Sequence, residues 1–410
     1  MTFKKNSNAI VIAAIASLYS ATCLASPLDH NEEKWTTDTM INARANMFHP
    51  DLNYLTFQNF NKMFSTRTVE ASSTPWRLEE DLVEINGTFS MEGEELSLEE
   101  FLEKTRTNAL LVINDGKISY EHYRNGLSET HPHAVFSVSK SIIATLIGLA
   151  VEDGKIASLN DKVTDYLPEL VGTGFEGTRI IDLLRMRSGV AWDEHYEFGG
   201  DTQLTEVHDN SLVAYKYRWC DYAVTSSEKL HEPGDQFNYS TLDTSVLGCL
   251  LESAVGTTAA EYMSEKIWKP AGMESDAFWI MDGPEPVGNE FYGAGFNATL
   301  RDLGRLGLLM LNMGEANGTQ VISEAWVEES TVSDPGYERT EEGSPIGYQY
   351  QWWTLPESDA YSAIGLYNQF IYIDPQTQTV IVKLSHTPDP LGWEEVNLEF
   401  LEKISHLFSE

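Results

Sequence analysis

Ser137-Val138-Ser139-Lys140 sets a hydroxyl and an amine three residues apart. On a helix that spacing puts both side chains on one face, so the Lys140 amine can reach the Ser137 oxygen. A serine hydroxyl is a weak nucleophile until a base takes its proton. Lysine serves as that base only where burial or neighbouring charge lowers its pKa. A serine at a helix start also brings backbone N–H groups and the positive end of the helix dipole to a developing oxyanion. The chemistry predicted is acyl transfer through an acyl-Ser137 ester.

The motif alone says little, because Ser226-Ser227-Glu228-Lys229 repeats it in a polar stretch with no apolar helix behind it. Context separates the two copies. Residues 109–113 read as a buried strand, Asn114-Asp115-Gly116 as a hairpin turn and residues 117–123 as an alternating partner strand. From Ser137 to about Glu152, Val138, Ile142, Leu146 and Ala150 recur at helical spacing, and Asp153-Gly154 ends the run. The Ser137 copy therefore opens a long apolar helix. A second element, Phe237-Asn238-Tyr239-Ser240-Thr241, precedes another apolar helix. A phenol near a lysine ammonium loses its proton more easily than in water and can relay protons. A tyrosine at a loop–helix junction is more often structural, so only its pairing with Ser137 makes Tyr239 a candidate.

The other elements must position these groups. Residues 300–313 read as a helix. Strand patterns return at Tyr350-Gln351-Trp352-Trp353, at 369–373 and at 379–382, and residues 393–408 form an amphipathic helix. Strands at both ends with helices between predict an α+β fold: an antiparallel β-sheet with helices, plus a helical subdomain inserted over about 142–285. Residues 26–95, polar and irregular, read as an N-terminal extension wrapping a hydrolase domain of 96–410.

Composition narrows the classes. Hydrophobic residues make up 42% of the 410, with 10 Trp, 18 Tyr and 17 Phe, so a packed core is expected. A formal charge of −36 repels nucleic acid and anionic lipid. Lys4 and Lys5, an apolar stretch from 9 to about 21 and Cys23-Leu24-Ala25 before Ser26 form the pattern of an export signal of residues 1–25. That run is too short for a confident membrane span. The expected location is exported, periplasmic or secreted. Lipid attachment at Cys23 is the competing reading, and it lacks the apolar residue expected at Ser20. Cys220 and Cys249 then sit in an oxidising compartment, as a disulfide or as two buried thiols; spacing leaves both open.

In order along the chain stand Asp115-Gly116-Lys117-Ile118, Phe136-Ser137-Val138-Ser139-Lys140-Ser141, Asp153-Gly154-Lys155-Ile156, Tyr166-Leu167-Pro168-Glu169-Leu170, Leu183-Leu184-Arg185-Met186-Arg187-Ser188-Gly189-Val190, Pro233-Gly234 with Tyr239-Ser240, Ala298-Thr299 with Arg301-Asp302-Leu303, and Gly365 through Pro375. In these segments the chain, from about residue 90 onward, resembles the class C-like branch of the serine β-lactamases, penicillin-binding proteins and related esterases. Within that family it is similar to the 6-aminohexanoate-oligomer hydrolases. The resemblance implies an antiparallel sheet covered by helices on both faces, with a helical domain opposite and the site between. It implies Ser137 as acylated nucleophile, Lys140 as its base and Tyr239 as proton relay, with an oxyanion hole from the Ser137 N–H and one near Leu366. No cofactor and no metal are implied.

Two departures from the pattern bear on substrate. Thr241 stands where the family's Tyr-x-Asn motif has Asn, or Ser in some branches. Ala363-Ile364-Gly365 stands where β-lactamases carry Lys-Thr-Gly, so the cation that attracts a substrate carboxylate is missing. With the acidic charge, this points to a small-molecule ester or simple amide. Asn368 also replaces a usual Gly before Gln369. Gly365, Leu366, Trp352 and Tyr367 are the expected substrate-binding residues, with Trp353 beside them; core packing is the competing reading for the tryptophans.

Other functions compete. A β-lactamase or D-Ala-D-Ala carboxypeptidase would use the same chemistry. A metal hydrolase could use the His131-Pro132-His133 pair, but no further ligand follows nearby. An α/β-hydrolase needs a Gly-x-Ser-x-Gly elbow, which the chain lacks. A non-catalytic binding protein on the same fold is the alternative of another class.

Overall fold

The computed structural model describes residues 36–332, 346–355 and 358–408. The expected export signal lies outside them. Seven strands form the main sheet: β1 (Thr107–Asn114), β2 (Lys117–Tyr123), β3 (Gly347–Gln349), β4 (Trp352–Leu355), β5 (Ala360–Gly365), β6 (Gln369–Asp374) and β7 (Thr379–Ser385). Their order is β3-β4-β5-β6-β7-β1-β2, and every neighbouring pair is antiparallel. The expected hairpin at 109–123 is present. It joins the distant C-terminal strands through the β7–β1 ladder, with Val382 opposite Leu111 and Val380 opposite Ile113.

Side chains alternate across each strand, so the sheet feeds two cores. Leu111, Ile113, Val380 and Val382 face one cluster. Leu110, Val112, Ile381 and Phe370 face the other. Four helices frame the sheet and the site: α1 (Val138–Glu152), α2 (Thr241–Val255), α3 (Leu300–Leu311) and α4 (Glu394–His406). On the first face α3 lies so close that a Cβ on Gly304 would stand 2.6 Å from Leu111 and one on Gly307 2.4 Å from Val380. On the second face α4 brings Leu398, Phe400, Leu401 and Ile404. This is the antiparallel sheet with helices that the patterns predict.

Two expectations are corrected. Tyr350-Gln351-Trp352-Trp353 is not one strand. Tyr350 and Gln351 take positive φ, 37° and 63°, and form the turn between β3 and β4. Contacts to the interior hold that turn: Ser141 Oγ donates to the Gln351 carbonyl at 2.6 Å and Thr244 Oγ1 to Gln351 Oε1 at 3.0 Å. Such contacts to α1 and α2 cannot be seen in a local pattern. Nor is the 26–95 segment simply irregular. It carries a helix (Asp38–Ala45) and a strand (Thr66–Val69) that pairs with Ala277–Ile280 in a four-stranded sheet ending at His133–Ala134. Its Met47, Phe57, Phe60 and Phe64 enter the main core.

Cys220 and Cys249 are disulfide-bonded, with Cα atoms 6.2 Å apart. No helix among the described residues is long and apolar enough to cross a membrane.

Candidate active site

Ser137 caps the start of α1. The residue before it, Phe136, has φ 46°, unusual for a bulky side chain. Its ring is gripped by Phe57 (4.8 Å between centroids) and Tyr367 (5.5 Å), which hold the backbone in that conformation. One turn along, Lys140 is 1% exposed. Its Nζ lies 2.9 Å from Ser137 Oγ, 3.0 Å from Thr241 Oγ1 and 2.9 Å from the Gly293 carbonyl. Burial lowers the Lys140 pKa to about 8, against an opposing pull from Glu194. A lysine at that value holds about a tenth of its molecules neutral at pH 7.

Tyr239 immediately precedes the Ser240 cap of α2. Its hydroxyl lies within hydrogen-bonding reach of Ser137, and Lys140 Nζ stands 5.0 Å from its ring centre. Burial pushes its pKa well up, the Ser137 contact opposes this, and Glu194 and Glu394 push it further up. Burial thus works against the easier ionisation expected for this side chain and favours the neutral phenol, which can pass a proton along a hydrogen bond.

Gly365 ends β5 against the nucleophile. A Cβ there would meet the Val135 carbonyl at 2.2 Å and the Ser137 nitrogen at 3.1 Å. Only glycine lets the strand end approach the helix start this closely. Ser137, Tyr239, Gly365 and Leu366 line one cleft of about 350 Å³, the size of a small-molecule site. Asp193, Glu194 and Glu394 supply carboxylates to its wall, and among the described residues no lysine or arginine lines it. A narrow apolar recess of about 40 Å³ runs behind Ser137, with Phe48 of the N-terminal segment, Phe198 and Leu204 in its wall.

Two expected binding residues lie elsewhere. Trp352 is 2% exposed and packs edge-on against Tyr361 at 5.6 Å. Neighbours on a strand face opposite sides, so Trp353 is the one that lines the cleft, stacked on Tyr239 at 5.6 Å. Tyr367 does not line the cleft; it stacks on Phe48 at 5.5 Å and belongs to the aromatic packing beneath Ser137.

The remaining motifs also find places. Lys229 Nζ donates to the Glu176 carbonyl and Ser226 Oγ to the Tyr222 carbonyl, so the second Ser-x-x-Lys copy is not a pair. His133 is fully buried between Asn108 and the Ala134 carbonyl, and burial lowers its pKa to about 4. His131 instead faces the Gln58 carbonyl. No group of three or more potential metal ligands occurs among the described residues.

Sequence reasoning missed the loop at 192–196. Glu194 accepts hydrogen bonds from the Thr241 backbone (2.9 Å), Thr241 Oγ1 (2.5 Å), the Tyr196 hydroxyl (3.0 Å) and Trp192 Nε1. Asn238 Nδ2 ties the same loop to the Tyr239 segment through the Trp192 carbonyl. The only advance signal was the run Trp192-Asp193-Glu194-His195-Tyr196 itself, which matches no motif used above.

Known proteins resemble the chain in sequence and in fold. The family model "Beta-lactamase" matches residues 97–402. The chain is 34% identical over 303 residues to "6-aminohexanoate-dimer hydrolase" of Paenarthrobacter ureafaciens, spanning 72% of this chain and 76% of that protein. The solved structure titled "Putative 6-aminohexanoate-dimer hydrolase from Bacillus anthracis" superimposes with a TM-score of 0.80 at 26% identity, over 89% of this chain and 96% of the other. "EstCE1, a hydrolase with promiscuous acyltransferase activity" shares the fold at a TM-score of 0.60 and 17% identity, over 76% and 96%. A buried lysine against a helix-start serine, at the edge of an antiparallel sheet, thus stands in a chain that belongs to the β-lactamase-fold family of serine hydrolases.

Proposed function

We propose that this protein hydrolyses an ester or small amide through an acyl-Ser137 intermediate. The observation that carries this is the 2.9 Å approach of Lys140 Nζ to Ser137 Oγ at the floor of an open cleft, with Tyr239 in reach of the same oxygen.

Neutral Lys140 takes the Ser137 proton as Oγ attacks the substrate carbonyl. The carbonyl oxygen becomes an oxyanion held by the Ser137 and Leu366 N–H groups, beside the positive end of α1. Collapse breaks the bond to the alcohol or amine leaving group. Its proton comes from the Lys140 ammonium by way of the Tyr239 hydroxyl, which gives one proton and receives another. Water then attacks the acyl-Ser137 ester by the reverse proton path, releasing the acid and restoring Ser137.

Support for an ester or amide without a carboxylate near the scissile bond comes from the cleft wall. Asp193, Glu194 and Glu394 repel anions, and Ala363 is packed in the core where β-lactamases carry lysine. The apolar recess behind Ser137 suits an apolar acyl group. The likeness to a 6-aminohexanoate-dimer hydrolase supports amide cleavage. Export with loss of residues 1–25 is part of the same reading.

The test is mass spectrometry after incubation with a fluorophosphonate probe. Single labelling mapped to the Ser137 peptide, lost in Ser137→Ala, is the expected result. Labelling elsewhere, or none, overturns the mechanism. Rapid stable acylation by a penicillin would instead favour a β-lactamase or D-Ala-D-Ala carboxypeptidase.

A further inference from the structure

Glu194 touches neither Ser137 nor Lys140 in any hydrogen bond of the structure. Yet all four groups bonded to its carboxylate are donors: Trp192 Nε1, the Tyr196 hydroxyl, and both the backbone N–H and hydroxyl of Thr241. An ionised carboxylate is acceptor-only and fits that surrounding. Oε2 faces two N–H groups that can only donate, and Oε1 faces two hydroxyls, so an amide fits only with its NH2 turned to the hydroxyls, where it would make the Thr241 oxygen its own acceptor.

The Thr241 hydroxyl is the shared member. Its hydrogen goes to Glu194 Oε1 at 2.5 Å, and its oxygen accepts from Lys140 Nζ at 3.0 Å. A hydroxyl has one hydrogen to give. Once Glu194 holds it, Thr241 faces Lys140 as an acceptor. The Gly293 carbonyl, 2.9 Å from Nζ, is an acceptor by its nature. A neutral lysine has two N–H bonds and one lone pair. With both N–H bonds taken by Thr241 and Gly293, the lone pair is left for the third neighbour, Ser137 Oγ at 2.9 Å.

We propose that Glu194 is a positioning residue for the base: by fixing Thr241 as an acceptor it turns the lone pair of neutral Lys140 onto the Ser137 hydroxyl. The inference rests on the Ser137–Lys140 reading above and adds to it. When the Ser137 proton moves to Lys140, the new ammonium keeps its hydrogens on Thr241 and Gly293, so neither has to reorient, and the third, on the Ser137 side, is the one handed to Tyr239 and on to the leaving group. Without the Glu194 acceptor, Thr241 could point its hydrogen at Nζ. A lone pair captured there would be unavailable to Ser137.

The groups facing Lys140 bear on its pH dependence. Ser137 lies on its own helix, Tyr239 and Thr241 come from the start of α2, Gly293 from its loop, and Glu194 from the 192–196 loop. Glu394 at the head of α4 acts on Tyr239 and Tyr196, while Asp193 and His195 line the same cleft. Glu194 is the charge that opposes the lowering of the Lys140 pKa by burial. Its removal therefore moves that pKa down.

The test is kcat/KM for a p-nitrophenyl ester against pH in wild type, Glu194→Gln, Thr241→Val and Thr241→Ser, with far-UV circular dichroism of each. Glu194→Gln is expected to lose about 10–100-fold in kcat/KM at its plateau. Its acid limb is expected to move to lower pH by about half a unit to one unit. Thr241→Val is expected to fall similarly, and Thr241→Ser, which keeps the hydroxyl, to recover at least half of that loss. Retained rate in Glu194→Gln overturns the inference. So does an equal fall at every pH with the limb in place, since that is what a purely structural residue gives. If Glu194→Gln does not fold, the Val and Ser variants decide: no recovery in Ser overturns it. Failure of the underlying reading is separate, because Ser137→Ala would then keep its activity whatever Glu194 does.

Discussion

Gly365 and Ser137 come together so closely that a single methyl group on Gly365 would stand 3.1 Å from the Ser137 nitrogen and 2.2 Å from the Val135 carbonyl oxygen. The second contact is with backbone and cannot be relieved by a rotamer change. The end of β5 and the start of α1 therefore meet only because residue 365 has no side chain.

Gly365→Ala is expected to push β5 away from α1 and misplace the Leu366 N–H relative to the Ser137 N–H. Loss of an oxyanion donor costs about 100–1,000-fold in kcat. Ester hydrolysis and thermal unfolding measured together check this. Near-normal kcat in a folded variant would show that the oxyanion is held elsewhere.

The wild-type pH profile follows from Lys140. Only the neutral amine can take the Ser137 proton, and its pKa is about 8. The value of kcat/KM is expected to fall as pH drops below about 8, with the slope of a single ionisation. A flat profile from pH 5 to 9 would remove Lys140 as the base.

The two adjacent tryptophans are expected to separate in mutation. Trp352→Ala opens a hole in the core beside Tyr361 and should cost about 3–5 kcal/mol of stability, with Ser137 labelling per folded molecule kept. Trp353→Ala removes the ring stacked on Tyr239 and should lower kcat/KM with a smaller loss of stability. Denaturant titration and probe-labelling rates distinguish them; the reverse result would reverse the assignment.

Lys383 offers a stability test remote from the cleft. It is fully buried on β7, donates to Ser385 Oγ at 2.7 Å, and burial lowers its pKa to about 7. Its value in the unfolded chain is about 10.4. Between about 7 and 10 the unfolded chain holds more protons, so stability rises with pH across that window. Below pH 7 both states are protonated and the full penalty of a buried ammonium applies. Lys383→Met is expected to be more stable than wild type at pH 6, by about 2–4 kcal/mol, and to lose that advantage toward pH 10. Denaturant midpoints at the two pH values check it.

Ser137, Lys140 and Tyr239 could be picked out because helical spacing is a local rule and the surrounding segments keep a recognisable order. Glu194 could not. It lies 54 residues from Lys140 in sequence, and its relevance depends on a loop closing over Thr241, which no periodicity encodes. The tryptophans were ambiguous for another reason. Alternation says that 352 and 353 face opposite sides, but which side is which depends on the turn at Tyr350-Gln351, and side chains of α1 and α2 hold that turn. The apolar residues of the 26–95 segment were visible, but their partners in the core were too distant to name. The sheet itself was legible because its strands alternate and its hairpin carries a clear turn.

The β7–β1 ladder sets a timetable for the nascent chain. Ser137, Lys140 and Tyr239 are synthesised long before β5 and β7, which close the sheet and bring Gly365 to the nucleophile. Chains grow at about 5–20 residues per second, so for many seconds the serine and lysine exist without the strand that completes their surroundings. The surroundings of the proposed nucleophile are therefore completed late, by strand pairing across most of the chain's length.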